Sequence, residues 1–204
     1  MPLKVQVFSD YVCPYCFLAE GPLNEAVAEL EGAVEVEWMP FELRPYPTPT
    51  LEPEGDYLQS GWRQSIYPMA ERMGVRIVLP RVSPQPYTRL AFEGALEARD
   101  QGKAAAYNHR MFTAFFQDEL DIGNVDVLSD CAAEIGLDRE IFRVALDNRL
   151  HSQECEQQLS LGRDRLQINS VPTFVIDNRL GIPGLVPKDS LVSVFREQLA
   201  AVAE

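Results

Sequence analysis

Basic residues, cysteines and histidines are scarce in this sequence, and long apolar runs are missing from it. Lys and Arg together number 18 against 31 Asp and Glu, which leaves a formal net charge of -13. No Lys/Arg cluster escapes that balance, so phosphate backbones and anionic membrane surfaces are repelled, and neither nucleic acid nor membrane is expected as a partner. No apolar stretch approaches the roughly 20 residues that cross a bilayer. Met1-Pro2-Leu3-Lys4 passes directly into a strand-like alternation, without the charged, apolar and small-residue sections of a secretory signal. The 4 cysteines are too few for a disulfide framework, and two of them share one short motif. These absences point to a cytoplasmic protein. What is present, 46% hydrophobic and 24% charged residues over 204 positions, suits one globular domain or one domain carrying an inserted subdomain.

Lys4-Val5-Gln6-Val7-Phe8 alternates polar and apolar residues and meets Ser9-Asp10, so a short strand delivers the chain to Cys13. From Pro14 to Leu30 the spacing of Cys16, Leu23, Val27 and Leu30 predicts a helix with one apolar face. Pro14 suits its first turn, Pro22 is expected to kink it, and Gly32 is expected to end it. Val34, Val36 and Trp38 alternate with Glu35 and Glu37, a second strand that a right-handed crossover makes parallel to the first. Five prolines between Pro40 and Pro53 then break both helix and sheet.

About a hundred residues of helical pattern follow, with segments expected near Tyr57–Met73, Tyr87–Gln101, Lys103–Gln117, Val125–Ile135, Arg139–Leu146 and His151–Leu166. Asn124 and Asp138 read as N-caps. Tyr107, Met111, Phe112, Phe115 and Phe116 read as helix-packing core rather than a cofactor box. The strand pattern returns at Thr173–Ile176, turns at Asp177-Asn178 and continues from Arg179 to Ile182. Pro187 opens a last helix whose apolar stripe is Leu191, Val194, Phe195, Leu199 and Val202.

Cys13-Pro14-Tyr15-Cys16 carries the chemistry. Two cysteines at this spacing on a helix start can close and reopen a small disulfide ring. Cys13, at the cap, faces unpaired N–H groups and the positive end of the helix dipole, which favours its thiolate and makes it the nucleophile. The Asp10 carboxylate, three residues earlier, opposes this. Cys16, one turn further in and more shielded, is placed to resolve a mixed disulfide held on Cys13. Zinc ribbons use the same spacing but need two further ligands. Cys131, Cys155, His109 and His151 stand singly, so no metal is expected. Cys131 and Cys155 read as small apolar helix residues, with Cys155 the more exposed of the two on account of its polar neighbours. Ser170-Val171-Pro172-Thr173-Phe174 puts a proline at a strand entrance, where it is either a simple strand start or a cis bond that turns the preceding peptide groups outward.

These two segments and the order of elements between them resemble the DsbA-like thioredoxin superfamily, and within it the cytosolic FrnE-like branch. Phe8 to Cys16, Pro40-Phe41-Glu42-Leu43-Arg44-Pro45, and Gly162-Arg163 running on to Phe174 carry the resemblance over nearly the whole chain. It implies an α/β fold: a thioredoxin-like domain of residues 1–50 and 167–204, interrupted by an all-helical subdomain of residues 51–166. It also implies that Val171-Pro172 is cis and packs beside Cys13. The implied activity is reduction or isomerisation of protein disulfides through Cys13 and Cys16, with Pro14, Tyr15, Val171, Pro172 and Thr173 shaping the site and meeting substrate. No bound cofactor is expected; glutathione or a thioredoxin-like reductant would restore the dithiol. Two alternatives stay open. Kappa-class glutathione transferases and 2-hydroxychromene-2-carboxylate isomerases share the fold and use glutathione, but place serine where this sequence has Cys13. A redox-inactive binding module leaves the dithiol unexplained.

Overall fold

Leu3, Val5 and Val7 alternate with Lys4 and Gln6, and this period-two pattern forms β1 (Leu3–Ser9) with those three residues buried on one face. The computed structural model describes residues 2–177 and 179–202. β1 leads into α1 (Pro14–Glu29), and α1 crosses back to β2 (Val34–Pro40), which pairs with β1 in parallel from Leu3↔Val34 to Ser9↔Pro40. Pro22 lies inside α1, which nevertheless continues unbroken to Glu29. Gly32 stands beyond the helix end, at φ +83, in the turn that feeds β2.

β3 (Thr173–Ile176) and β4 (Leu180–Pro183) complete a four-stranded sheet in the order β2-β1-β3-β4. β3 runs antiparallel to β1, with Val7 opposite Phe174, and antiparallel to β4. Asn178, half of the turn expected between them, lies outside the described residues, as does the side chain of Val202. One face of the sheet packs under α1 and α9 (Lys188–Val202) through Val5, Val7, Leu23, Phe174, Leu191 and Phe195. Each such side chain contributes roughly 1.5–3 kcal/mol when fully buried. The opposite face buries Phe8, Met39, Ile168 and Val175.

Between β2 and β3 the chain is helical: α2 (Asp56–Gly61), α3 (Tyr67–Met73), α4 (Arg89–Asp100), α5 (Ala104–Phe116), α6 (Val125–Glu134), α7 (Arg139–Asp147) and α8 (Ser152–Ser160). Asn124 Oδ1 accepts the Asp126 N–H at 2.8 Å and Asp138 Oδ1 accepts the Ile141 N–H at 2.9 Å, so both expected caps form. Tyr107, Met111, Phe112, Phe115 and Phe116 are fully buried in the core of this helical part. The expected continuous helix over 57–73 is interrupted by a π-helical turn at Trp62–Ile66, and the one over 151–166 ends in another at Leu161–Arg165. The second turn brings Gly162 onto Phe8, where an added Cβ would stand 2.8 Å from the ring.

The helical part and the sheet share α1. Its Ala19, Leu23 and Ala26 face the sheet, while Cys16, Phe17 and Leu18 belong to the core of the helical part. A single apolar face was the sequence expectation. Burial on two sides holds the start of α1 from both directions.

Candidate active site

Cys13 caps α1 from an extended backbone conformation, and Pro14 occupies the first helical turn, where its missing N–H leaves no bond unmade. The Cys13 N–H donates to Asp10 O at 3.0 Å, and Cys13 O accepts the N–H groups of Cys16 at 3.1 Å and Phe17 at 3.3 Å. This turn fixes both cysteines, which are free thiols. Cys13 is 4% exposed and Cys16 is wholly buried, so the expected order of shielding holds. Burial pushes the Cys16 thiol well above its ordinary range, and the neighbouring Cys13 sulfur adds to the effect.

The loop before β3 closes on the same point. The Val171-Pro172 bond is cis, and Val171 O lies 3.6 Å from Cys13 Sγ. Among the described residues the Val171 N–H has no hydrogen-bond partner. Pro172 and Thr173 are buried behind this loop: Pro172 O accepts the Gly184 N–H at 2.7 Å, and the Thr173 hydroxyl donates to Ser170 O at 2.7 Å.

Above Cys13 lies a cavity of about 390 Å³. Pro14, Tyr15 and Val171 line it, whereas Cys16, Pro172 and Thr173 do not. α2 and the π-helical turn supply an apolar wall of Leu58, Trp62 and Ile66, and Leu43 and Tyr57 stand exposed among the lining residues. Asp10, Gln85 and Thr88 give the cavity a polar side, and all three are buried. Sequence reasoning did not find Gln85, Thr88 or Trp62. Gln85 and Thr88 reach the site through a loop in which no residue carries a chemical motif.

Asp10 is the unusual member. Its Oδ2 accepts the Leu43 N–H at 2.8 Å, while Oδ1 has no hydrogen-bond partner among the described residues. Desolvation raises its carboxyl from the ordinary 3.8 to about 6, against the opposing pull of the Leu43 N–H, the Thr88 hydroxyl and the Val12 N–H. A buried carboxylate therefore lies three residues before the nucleophile position.

The remaining cysteines, Cys131 and Cys155, do not line this cavity. Cys131 and Cys155 are both buried, as expected of small apolar helix residues; the polar neighbours Glu154 and Glu156 point outward while Cys155 packs inward with Leu159. Burial pushes the Cys131 thiol up to about 11 and the Cys155 thiol up to about 12. The His109 and His151 rings each face a glutamate, with His109 Nδ1 2.7 Å from Glu20 and His151 Nε2 2.8 Å from Glu97.

Comparison with known proteins agrees with this geometry. The family model described as DSBA-like thioredoxin domain matches residues 4–196. The uncharacterized protein YwbO of Bacillus subtilis is 46% identical over 190 residues, covering 93% of this chain and 94% of its own. A probable DsbA oxidoreductase from Streptomyces coelicolor superposes with a TM-score of 0.82 at 21% identity, covering 98% of this chain and 90% of that one. The cytosolic disulfide reductase DsbM from Pseudomonas aeruginosa gives 0.74 at 20% identity, covering 98% and 100%, and has also been solved with GSH. At these identities the two solved structures share the fold.

Proposed function

Because the chain belongs to the DSBA-like thioredoxin domain family, we propose that it is a thiol–disulfide oxidoreductase in which Cys13 attacks and Cys16 resolves. One observation carries the reading: a helix-capping cysteine at a cavity wall has a second, wholly buried thiol one turn behind it. The Cys13 thiolate attacks one sulfur of a substrate disulfide, that S–S bond breaks, and the departing thiolate takes up a proton. Cys16 then gives up its proton and attacks Cys13 Sγ, releasing the second substrate thiol and leaving a Cys13–Cys16 disulfide. Two electrons pass from the protein dithiol to the substrate. A cellular thiol, glutathione or a thioredoxin-like protein, returns them.

Protein disulfides in extended segments fit the surroundings. The free Val171 N–H offers backbone pairing beside the thiol, and exposed Leu43 and Tyr57 offer apolar contact at the cavity. In the cytoplasm, which the composition favours, a reduced dithiol acts as reductase or isomerase rather than oxidase. Serine at the first position is what the glutathione-dependent isomerase reading requires, and Cys13 weighs against it.

Trapping tests the assignment. Cys16→Ser, incubated with a disulfide-containing unfolded protein, should accumulate mixed disulfides on Cys13, and Cys13→Ser should form none and lose reductase activity. Mixed disulfide on Cys16 in the Cys13→Ser protein, with activity retained, would reverse the roles.

A further inference from the structure

A second cavity, of about 680 Å³, is lined by residues 35–40, which are consecutive positions of β2. Side chains of neighbouring strand residues face opposite sides of a sheet, so a cavity that meets all of them lies along the strand's edge. β2 ends the strand order β2-β1-β3-β4 and pairs only with β1. Two bonds fix which backbone groups point away from β1: the Leu3 N–H donates to Ala33 O at 2.8 Å and the Phe41 N–H to Ser9 O at 2.9 Å. With Leu3 opposite Val34 and Ser9 opposite Pro40, the odd-numbered residues of β2 bond β1, and the N–H and C=O groups of Val34, Val36 and Trp38 turn outward. Among the described residues these groups have no hydrogen-bond partner. Pro40, next in the outward series, has no N–H to offer, which ends the usable edge. Phe92, Leu96 and Arg99, spaced along one face of α4, also line this cavity, and none of its residues lines the one above Cys13.

We propose that the β2 edge docks an extended segment of another protein in which apolar residues alternate with Lys or Arg. Such docking requires nothing of Cys13. About five residues of an added strand, at roughly 3.3 Å each, satisfy the outward groups of Val34, Val36 and Trp38, and its side chains alternate between the two faces as those of β2 do. Val36 and Trp38, partly buried on the same face as Val27 of α1, make one face apolar. Glu35 and Glu37, both exposed, make the other acidic. Glu37 accepts a neutral donor, Gln6 Nε2, at 3.1 Å, and Lys4 stands across the ladder from Glu35. Arg99 is held by Glu154 and Asp100. One ammonium against two carboxylates leaves the edge negative on a chain of net charge -13, which favours cations at alternate positions of the incoming strand. The same carboxylates argue against a second copy of this chain as the occupant. Antiparallel pairing of β2 with itself about Val36 sets each Glu35 against the Glu37 of the other copy, and like charges directly opposite are destabilising.

The test uses short cysteine-free peptides, which leave the thiols out: one in which valine alternates with lysine, and one in which valine alternates with glutamate. Binding to the reduced protein is read by NMR, as affinity and as amide hydrogen exchange. The lysine peptide at saturation should slow exchange of the Val36 and Trp38 amides by roughly tenfold or more, because edge amides open to water become paired. The Glu35 and Glu37 amides, already bonded to β1, should not change. The lysine peptide should also bind about fivefold or more tightly than the glutamate peptide, the scale of two cross-strand charge pairs. Replacing both carboxylates, Glu35→Lys with Glu37→Lys, should reverse that preference. Binding of the lysine peptide without protection of Val36 and Trp38 overturns the proposal, since it marks diffuse attraction to an acidic surface. Equal affinity for the two peptides, binding of neither, or a lysine preference retained in the double variant overturns it as well. Protection of the same amides that grows with protein concentration in the absence of peptide assigns the edge to a second copy and overturns the choice of partner.

Discussion

Asp10→Asn should make the protein more stable at pH 8 and leave it nearly unchanged at pH 4. Folding takes this carboxyl from the ordinary 3.8 to about 6, chiefly by desolvation. The folded state therefore holds the proton more tightly than the unfolded state does. Well below pH 3.8 the group is protonated in both states and costs nothing; the penalty begins as the unfolded chain ionises and is complete once pH has risen through 6, where the folded protein must ionise a buried group. At about 1.4 kcal/mol for each tenfold change in proton affinity, that penalty is about 3 kcal/mol. Asparagine keeps a carbonyl oxygen for the Leu43 N–H, which Asp10 Oδ2 accepts at 2.8 Å, and has no proton to lose. Packing changes caused by the amide shift both ends of the pH range alike, so the quantity to measure is how the variant's advantage changes with pH. Urea unfolding of the reduced proteins should show that advantage growing by about 2 to 3 kcal/mol between pH 4 and pH 8. With m near ~2 kcal/mol/M, the midpoint difference widens by about 1 M. Parallel stability curves for the two proteins would refute the argument, because they would mean that Asp10 is solvated or paired in the folded state.

Two further outcomes follow from packing and charge. Gly162→Ala should lower stability by about 1–3 kcal/mol, measured by the urea midpoint, because its Cβ would stand 2.8 Å from Cδ1 and Cε1 of the buried Phe8 ring. His109 should titrate above its ordinary value in an NMR pH series because Glu20 holds its proton, against partial desolvation, and Glu20→Gln should bring it down. The stability that this pair adds is present at low pH and lost as pH rises through the raised value.

Local signals carried most of the fold into the sequence. Alternation at Leu3, Val5 and Val7, the caps Asn124 and Asp138, and the proline before α9 act over a few residues, and the elements that they imply form within a residue or two of the expected bounds. Long-range events left weaker traces. The second buried face of α1, with Phe17 and Leu18, exists because α5 packs on it from about ninety residues downstream; Phe17 stacks on Phe112 and Phe116. The π-helical turns at Trp62–Ile66 and Leu161–Arg165 replaced expected α-helix for the same reason: each places a residue, Trp62 at the cavity and Gly162 on Phe8, where distant structure needs it. The dithiol and the Val171-Pro172 loop were legible as motifs. The polar side of the cavity was not, since Gln85 and Thr88 become a site only when folding sets them beside Asp10.

Burial also bears on the order of the two thiols. A wholly buried Cys16, whose proton desolvation holds tightly, is a poor nucleophile toward any disulfide arriving from solvent. Only a sulfur already attached to Cys13 stands within its reach, because the α1 turn that bonds Cys16 N–H to Cys13 O fixes the separation of the two residues. On the proposed mechanism, the first attack therefore falls to Cys13, and Cys16 enters after the substrate has been captured. The same low-dielectric surroundings that impose this order raise the proton affinity of Asp10 into the range where a carboxyl exchanges protons near neutral pH. Stability lost by ionising Asp10 and reactivity withheld from Cys16 thus have one physical origin, the clamping of the α1 start between the sheet and the helical part. A substitution that loosens the clamp, such as Phe17→Ala, should raise the alkylation rate of Cys16 relative to Cys13 at fixed pH. An unchanged ratio in a folded Phe17→Ala protein would show that the order of the thiols is set by the helix turn alone.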